Sequence, residues 1–208
     1  MKKTVEDYYS YVSKFFGKWA RFYNLVSIFA SGTRDKVVDL VDLQRNSKIL
    51  DVCTGTGDQA LAFGKKGYVV TGVDLSEEML HLAEKKNKYE NVSFIIADAA
   101  NLPFKDDCFD ATCISLALHD MPQDIRDAVL DEIRRVSIKI VVVDYNVPKN
   151  RLHRWFHTSV ASIYESKYYR DFAKRDLIEI LQQHSLRVVK EAYSLGDFIK
   201  ILICEKNR

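Results

Sequence analysis

The apolar residues of this 208-residue chain fall into two kinds of run. Short, nearly continuous apolar stretches occupy residues 48–52, 68–74, 92–98, 109–115 and 138–143, and most are separated by longer stretches with helical spacing of apolar residues. The first kind reads as buried strands and the second as helices laid against them. Their alternation predicts a parallel sheet with helices on both faces. Past the fifth strand the pattern predicts helices over about 151–164 and 174–184, then strands near 186–193 and 198–204. Gly196 and Asp197 lie between the last two strands, which are therefore expected to form an antiparallel hairpin.

Two stretches stand apart from this alternation. Tyr8, Val12, Phe15, Phe16, Trp19, Phe22, Tyr23 and Val26 recur at three- and four-residue spacing, an aromatic helical stripe. It suits a helix docked on the sheet, or a lid closing over a ligand and an apolar substrate. A second stripe, Leu152, Trp155, Phe156, Val160, Ile163 and Tyr164, carries Arg151, His153, Arg154 and His157 on its polar side. Residues 149–175 hold seven Lys or Arg against Glu165 and Asp171, a local net charge of +5. Such a face suits anionic lipid or an acidic substrate, and equally a solvated surface. The expected organisation is one domain over 1–208, with an N-terminal helical lid or cap over 1–45 and a core over 46–208. A helical substrate-side insertion is expected at about 146–184.

Composition narrows the classes. A chain of 208 residues, 47% hydrophobic, can bury one sizeable core and is short for two domains. Its net charge of +2 provides no general attraction to nucleic acid. No apolar run approaches the roughly 18–20 residues that span a bilayer, and Met1-Lys-Lys-Thr4 is not followed by an apolar signal region, so a cytoplasmic location is expected. Cys53, Cys108, Cys113 and Cys204 show no Cys-x-x-Cys spacing and read as reduced packing residues. His153 and His157 are one helical turn apart but have no carboxylate companion, and no metal is expected.

The chemistry concentrates in KILDVCTGTGD, residues 48–58, a strand running into a glycine turn. Gly55 and Gly57 remove the Cβ atoms that would hold a ligand off the backbone. In dinucleotide-binding folds such a turn aims N–H groups at a pyrophosphate. Here Asp51 and Asp58 flank it, an arrangement that repels a pyrophosphate and suits an ammonium or sulfonium group. S-adenosylmethionine is such a ligand. Asp74 closes the second strand seventeen positions after Gly57, where an acid holds ribose hydroxyls, and Ser76 with Glu78 opens a helix. Asp98 ends the third strand, placed to accept a hydrogen bond from an adenine amino group.

Taken in order, LDVCTGTGD at 50–58, GVDLS at 72–76 with Met79 and Leu80, Asp98, LPF at 102–104, Phe109-Asp110 and Glu132-x-x-Arg135-Val136 resemble the class I S-adenosylmethionine-dependent methyltransferases. The resemblance is to their type 11 and ubiquinone/menaquinone-biosynthesis C-methyltransferase-like groups, and it covers most of the chain. Residues 23–32 are similar to the quinone group's N-terminal signature, with Asn24 and Ser27 where that group tends to have Asp and Asn. Two departures stand out. Cys53 replaces a common glycine, so its side chain is expected to point away from the ligand. Residues 135–140 run straight into a strand without the family's Leu-Lys-Pro-Gly-Gly turn.

The resemblance implies a Rossmann-like fold, an α/β sheet of seven mostly parallel strands with an antiparallel last strand. It implies S-adenosyl-L-methionine as cofactor, S-adenosyl-L-homocysteine as product and a small, partly apolar methyl acceptor. Asp51, Cys53, Thr54, Gly55 and Gly57 would line the methionyl and ribose portions, joined by Tyr23, Met79 and Ser115. Asp74 would hold the ribose and Asp98 the adenine, with Leu75, Ala99 and Leu116 around the base. Methyl transfer requires alignment above all, and an acceptor that must lose a proton also benefits from a base. His119 is the catalytic candidate, with Asp120 to orient it; lining the methionine pocket or capping the next helix would equally explain His119. Tyr145 is a second candidate. A quinone-pathway C-methyltransferase with peripheral membrane contact, a non-catalytic cofactor-binding module and a nicotinamide-dependent oxidoreductase are the alternatives. Ala60 fits the oxidoreductase fingerprint's third small position, but the flanking acids and the terminal hairpin argue against that class.

Overall fold

The computed structural model describes residues 8–10, 31–148, 150 and 166–207. The N-terminal stripe apart from Tyr8, Tyr23 with it, and the stripe at 152–164 with His153 and His157 lie outside the described residues. Seven strands form one sheet: β1 Lys48–Val52, β2 Val69–Asp74, β3 Val92–Ile96, β4 Phe109–Ser115, β5 Ser137–Tyr145, β6 Leu186–Ser194 and β7 Ile199–Lys206. Their order across the sheet is β3-β2-β1-β4-β5-β7-β6. The first five pair in parallel, whereas β7 runs antiparallel to both β5 and β6. The strand order reverses between β1 and β4, leaving a crevice at the carboxyl ends of the central strands, where open α/β sheets bind ligands.

Strand alternation sends successive residues to opposite faces. Leu50, Val52, Ile114, Ile140, Val142 and Leu202 enter one core, packed with Ile125, Val129, Leu130 and Ile133 of α4 (Gln123–Val136) and Ile180 and Leu181 of α6 (Leu177–Gln183). Ile49, Ala111, Cys113, Val141, Val143 and Ile201 enter the other. There they meet α1 (Ser31–Val41), α2 (Asp58–Lys66) and α3 (Glu77–Lys86) through Val37, Val41, Phe63 and Ala83. A one-turn helix, α5 (Tyr169–Phe172), completes the set. Burial of these side chains contributes about 1.5–3 kcal/mol each before ordering costs are set against it.

Several boundaries differ from the sequence reading. β3 ends at Ile96, so Asp98 lies in the following loop and not at the strand's last position. α4 ends at Val136 and β5 begins at Ser137, because Ser137 takes extended angles and its hydroxyl donates to the Ile133 carbonyl at 2.7 Å. Helix thus passes into strand with no intervening loop, which accounts for the absent glycine turn. Tyr145 is the last residue of β5, not a residue beyond it. α1 is docked on the core: Thr33 shares a 2.7 Å hydrogen bond with Ser194, and Lys36 donates to the Tyr193 carbonyl. No helix among the described residues is long and apolar enough to cross a membrane.

Candidate functional site

The turn after β1 is held open from both ends. Cys53, Gly55 and Gly57 all adopt positive φ, at 55°, 53° and 78°. For a non-glycine residue that conformation costs about 1–2 kcal/mol, and strain of this kind gathers at ligand sites. Leu116, at the equivalent end of β4, shares it with φ 53°. Gly55 has open space where a Cβ would project, whereas a Cβ on Gly57 would lie 2.7 Å from Phe94 and 2.8 Å from Ala83. The two glycines therefore serve different ends. Gly55 leaves open space on the cavity side; Gly57 lets α2 pack closely on β3 and α3.

A cavity opens above this turn. Its wall contains Asp51, Cys53, Thr54, Gly55, Asp74, Leu75, Met79, Asp98, Ala99, Ser115 and Leu116, which among the described residues are the cofactor residues expected from sequence apart from Gly57. Tyr8, Thr33, Arg34, Asp120, Met121 and Ile125 complete much of the rest. Cys53 is in this wall and also packs against the α4-side core. Among the described residues all four cysteines are unpaired, and no cluster of three His, Cys, Asp or Glu side chains could hold a metal.

Each acid has a distinct environment. Asp51 is 1% exposed and accepts the Thr54 hydroxyl at 2.5 Å. Burial pushes its carboxyl up to about 7, opposed by the Thr54 bond and a backbone N–H and reinforced by Asp74 and Asp58. Asp74 accepts Gly55 N–H at 2.8 Å on one oxygen and Ser76 N–H at 2.9 Å on the other. Burial raises its pKa too, partly offset by those N–H bonds. Asp98 accepts Ala100 N–H at 2.9 Å and the Tyr9 hydroxyl at 2.7 Å. Asp58 departs from expectation: Lys86 Nζ lies 2.6 Å from it, so its charge is balanced by a lysine of α3. Asp51 and Asp74 remain as the acids that face the turn, with Arg34 in the same cavity wall.

His119 sits in a single 3-10 turn, Leu118–Asp120, directly after β4. Its ring is 5% exposed and not in the cavity wall; Asp120 and Met121 are. The residue that orients it is Asp144, not the expected Asp120. His119 Nδ1 lies 2.7 Å from Asp144 Oδ1, and the fully buried Asp144 also accepts the His119 and Tyr145 backbone N–H groups. Tyr145 packs on the His119 ring at 4.7 Å, and Tyr169 stands 6.0 Å away. Behind the turn, buried Arg126 donates to the Leu118 and Met121 carbonyls and lies over the Phe172 ring. Asp144 was open to detection: like Asp74, it is an acid near the end of a parallel strand. Arg126 was open to detection as well, since Val129, Leu130 and Ile133 stand three, four and seven positions on and put this charged residue on the buried stripe of α4.

The cavity fits S-adenosylmethionine. Its negative wall matches a ligand with an ammonium and a sulfonium, and Gly55 leaves room for it against the backbone. Comparison with known proteins agrees. Residues 49–138 match the family described as a methyltransferase domain. The chain is similar to a demethylmenaquinone methyltransferase of Staphylococcus saprophyticus, 37% identical over 141 residues, covering 65% of this chain and 58% of that one. It is 28% identical over 216 residues to one from Staphylococcus aureus, covering 97% and 88% of the two chains. The first match thus spans little more than half of that relative's length. Among solved structures, magnesium protoporphyrin IX methyltransferase from Synechocystis with bound S-adenosylhomocysteine superposes with a TM-score of 0.69 over all of both chains. At 18% identity that likeness shows the fold alone.

Proposed function

We propose that this chain is a class I S-adenosylmethionine-dependent methyltransferase that methylates a small, partly apolar acceptor beside the acidic cavity. The observation that carries this reading is the convergence of Asp51, Asp74 and Asp98 on one cavity at the carboxyl ends of three neighbouring strands. S-adenosylmethionine supplies a methyl group already activated on a sulfonium. Asp74, fixed by the Gly55 and Ser76 backbone N–H groups, would accept the ribose hydroxyls. Asp98 would take the adenine amino group, and Asp51 would face the positive end. Tyr8, Leu116, Met121 and Ile125 supply an apolar wall that limits water at the reacting atoms.

His119 is the proposed proton acceptor for a methyl acceptor that must ionise; its buried ring lies behind the wall residues Asp120 and Met121, so the turn that carries them would have to open for it to act. Asp144 engages Nδ1 and would stabilise the imidazolium that proton transfer to the ring forms. Tyr145 would then serve as a wall for the ring. The name of the curated relatives, demethylmenaquinone methyltransferase, favours a demethylated menaquinone-type acceptor as a more specific second reading.

The test is calorimetry on the full chain with S-adenosylmethionine and S-adenosylhomocysteine, with NAD and NADP as controls, followed by methyl-transfer assays on a demethylated menaquinol and on simple phenols. Binding of the first pair and turnover of any acceptor supports the proposal. Turnover confined to the quinol selects the second reading. Binding without turnover on all acceptors supports a binding module, and binding of a nicotinamide nucleotide alone overturns the assignment.

A further inference from the structure

We propose that Tyr9 is a positioning residue for the adenine end of the cofactor site, acting through Asp98; this rests on the reading of Asp98 as the carboxylate that receives the adenine amino group. Tyr9 and Asp98 are 89 positions apart in sequence, yet the hydroxyl donates to Oδ2 at 2.7 Å. Oδ1 is held by Ala100 N–H at 2.9 Å. A carboxylate with one donor on each oxygen cannot swing, and each oxygen still has a second lone pair to offer. The acceptor is therefore set in place before any ligand arrives, and ordering costs at binding are reduced.

Tyr8 seats the pair. It is 7% exposed, lines the same cavity as Asp98, and packs edge-to-face on Tyr9 at 5.7 Å and on Tyr168 at 5.9 Å. Desolvation and the Asp98 carboxylate both push the Tyr9 phenol above its ordinary range, so it remains a donor across the working pH range. A tie that merely anchored the N-terminal segment would have no reason to end on this particular carboxylate.

Tyr9→Phe removes the hydroxyl and keeps the ring. The probes are S-adenosylhomocysteine and its analogue with hydrogen in place of the 6-amino group, titrated calorimetrically into the full chain. The wild-type protein should prefer the amino ligand. Y9F should weaken that ligand about fivefold to tenfold and the analogue less than twofold. In an Asp98→Asn background the effect of Y9F should vanish, which separates positioning from a general loss of fold. Equal weakening of both ligands, or no weakening of either, overturns the proposal. A wild-type protein that binds the two ligands equally, or neither, overturns the underlying reading of Asp98 before any variant is considered.

Discussion

The Asp74 carboxylate accepts the Gly55 backbone N–H at 2.8 Å, so the acid that ends β2 also fixes the glycine turn that follows β1. One side chain thus fixes the turn and lines the cavity. Asp74→Ala should weaken S-adenosylhomocysteine binding by about 1–3 kcal/mol and also lower the melting temperature of the ligand-free protein. Calorimetry and a thermal melt read the two effects separately. Unchanged affinity would remove Asp74 from the ribose site.

Asp51 should make cofactor binding depend on pH. Its folded carboxyl titrates at about 7, well above the ordinary carboxylate range, because it is buried. A cationic ligand favours the ionised form, so affinity should fall as pH drops below about 7, by up to tenfold per pH unit, with proton release on binding. In the ligand-free protein the folded state holds this proton more tightly than the unfolded state. Asp51's contribution to stability therefore declines as pH rises from the ordinary carboxylate range toward 7. Titrations from pH 6 to 8 should show the slope in the wild type and lose it in Asp51→Asn.

The glycines of the turn should separate by phenotype. Gly57→Ala places a Cβ within 2.8 Å of both Phe94 and Ala83 at φ 78°, and should destabilise the fold by about 2–4 kcal/mol through overpacking and left-handed strain together. Gly55→Ala meets no neighbour and should cost only the strain, about 1–2 kcal/mol, while its methyl group narrows the ligand side. Denaturant unfolding and cofactor titration should therefore rank the two variants in opposite order. The same order in both assays would contradict the division of roles.

Asp144→Asn tests the histidine. The carboxylate accepts two backbone N–H groups and His119 Nδ1, and an amide would turn its NH2 toward one of those donors. If His119 is the base, kcat should fall by roughly 10²-fold with little change in cofactor affinity, and His119→Asn should fall at least as far. Loss of affinity and stability with undiminished single-turnover rates would make the pair structural.

The order of elements was legible because burial leaves a local record. Strands covered on both faces read as apolar runs, as at residues 109–115, and the terminal hairpin was marked by Gly196 and Asp197. The cavity acids were legible because each follows or closes a strand: Asp51, Asp74 and Asp98 announce themselves by position alone. Charge balance was not. Asp58 reads as part of the acidic flank, but Lys86 arrives from another helix, 28 positions away, and neutralises it. Asp120 looked like the partner of His119 because it is adjacent, but adjacent side chains on a tight turn diverge, and the ring instead meets Asp144 on the neighbouring strand.

The sequence by itself therefore determined the fold class, the glycine turn and the acids around it, since these follow from periodicity and from residues within one βα unit. Tertiary structure alone decided which of two glycines packs and which borders open space in the cavity, and which aspartate holds His119. It also decided that Tyr9 reaches Asp98. The physical reason is common to all three: hydrogen bonds and close contacts act over about 3–4 Å in space, and folding brings to that distance residues whose separation along the chain leaves no local pattern.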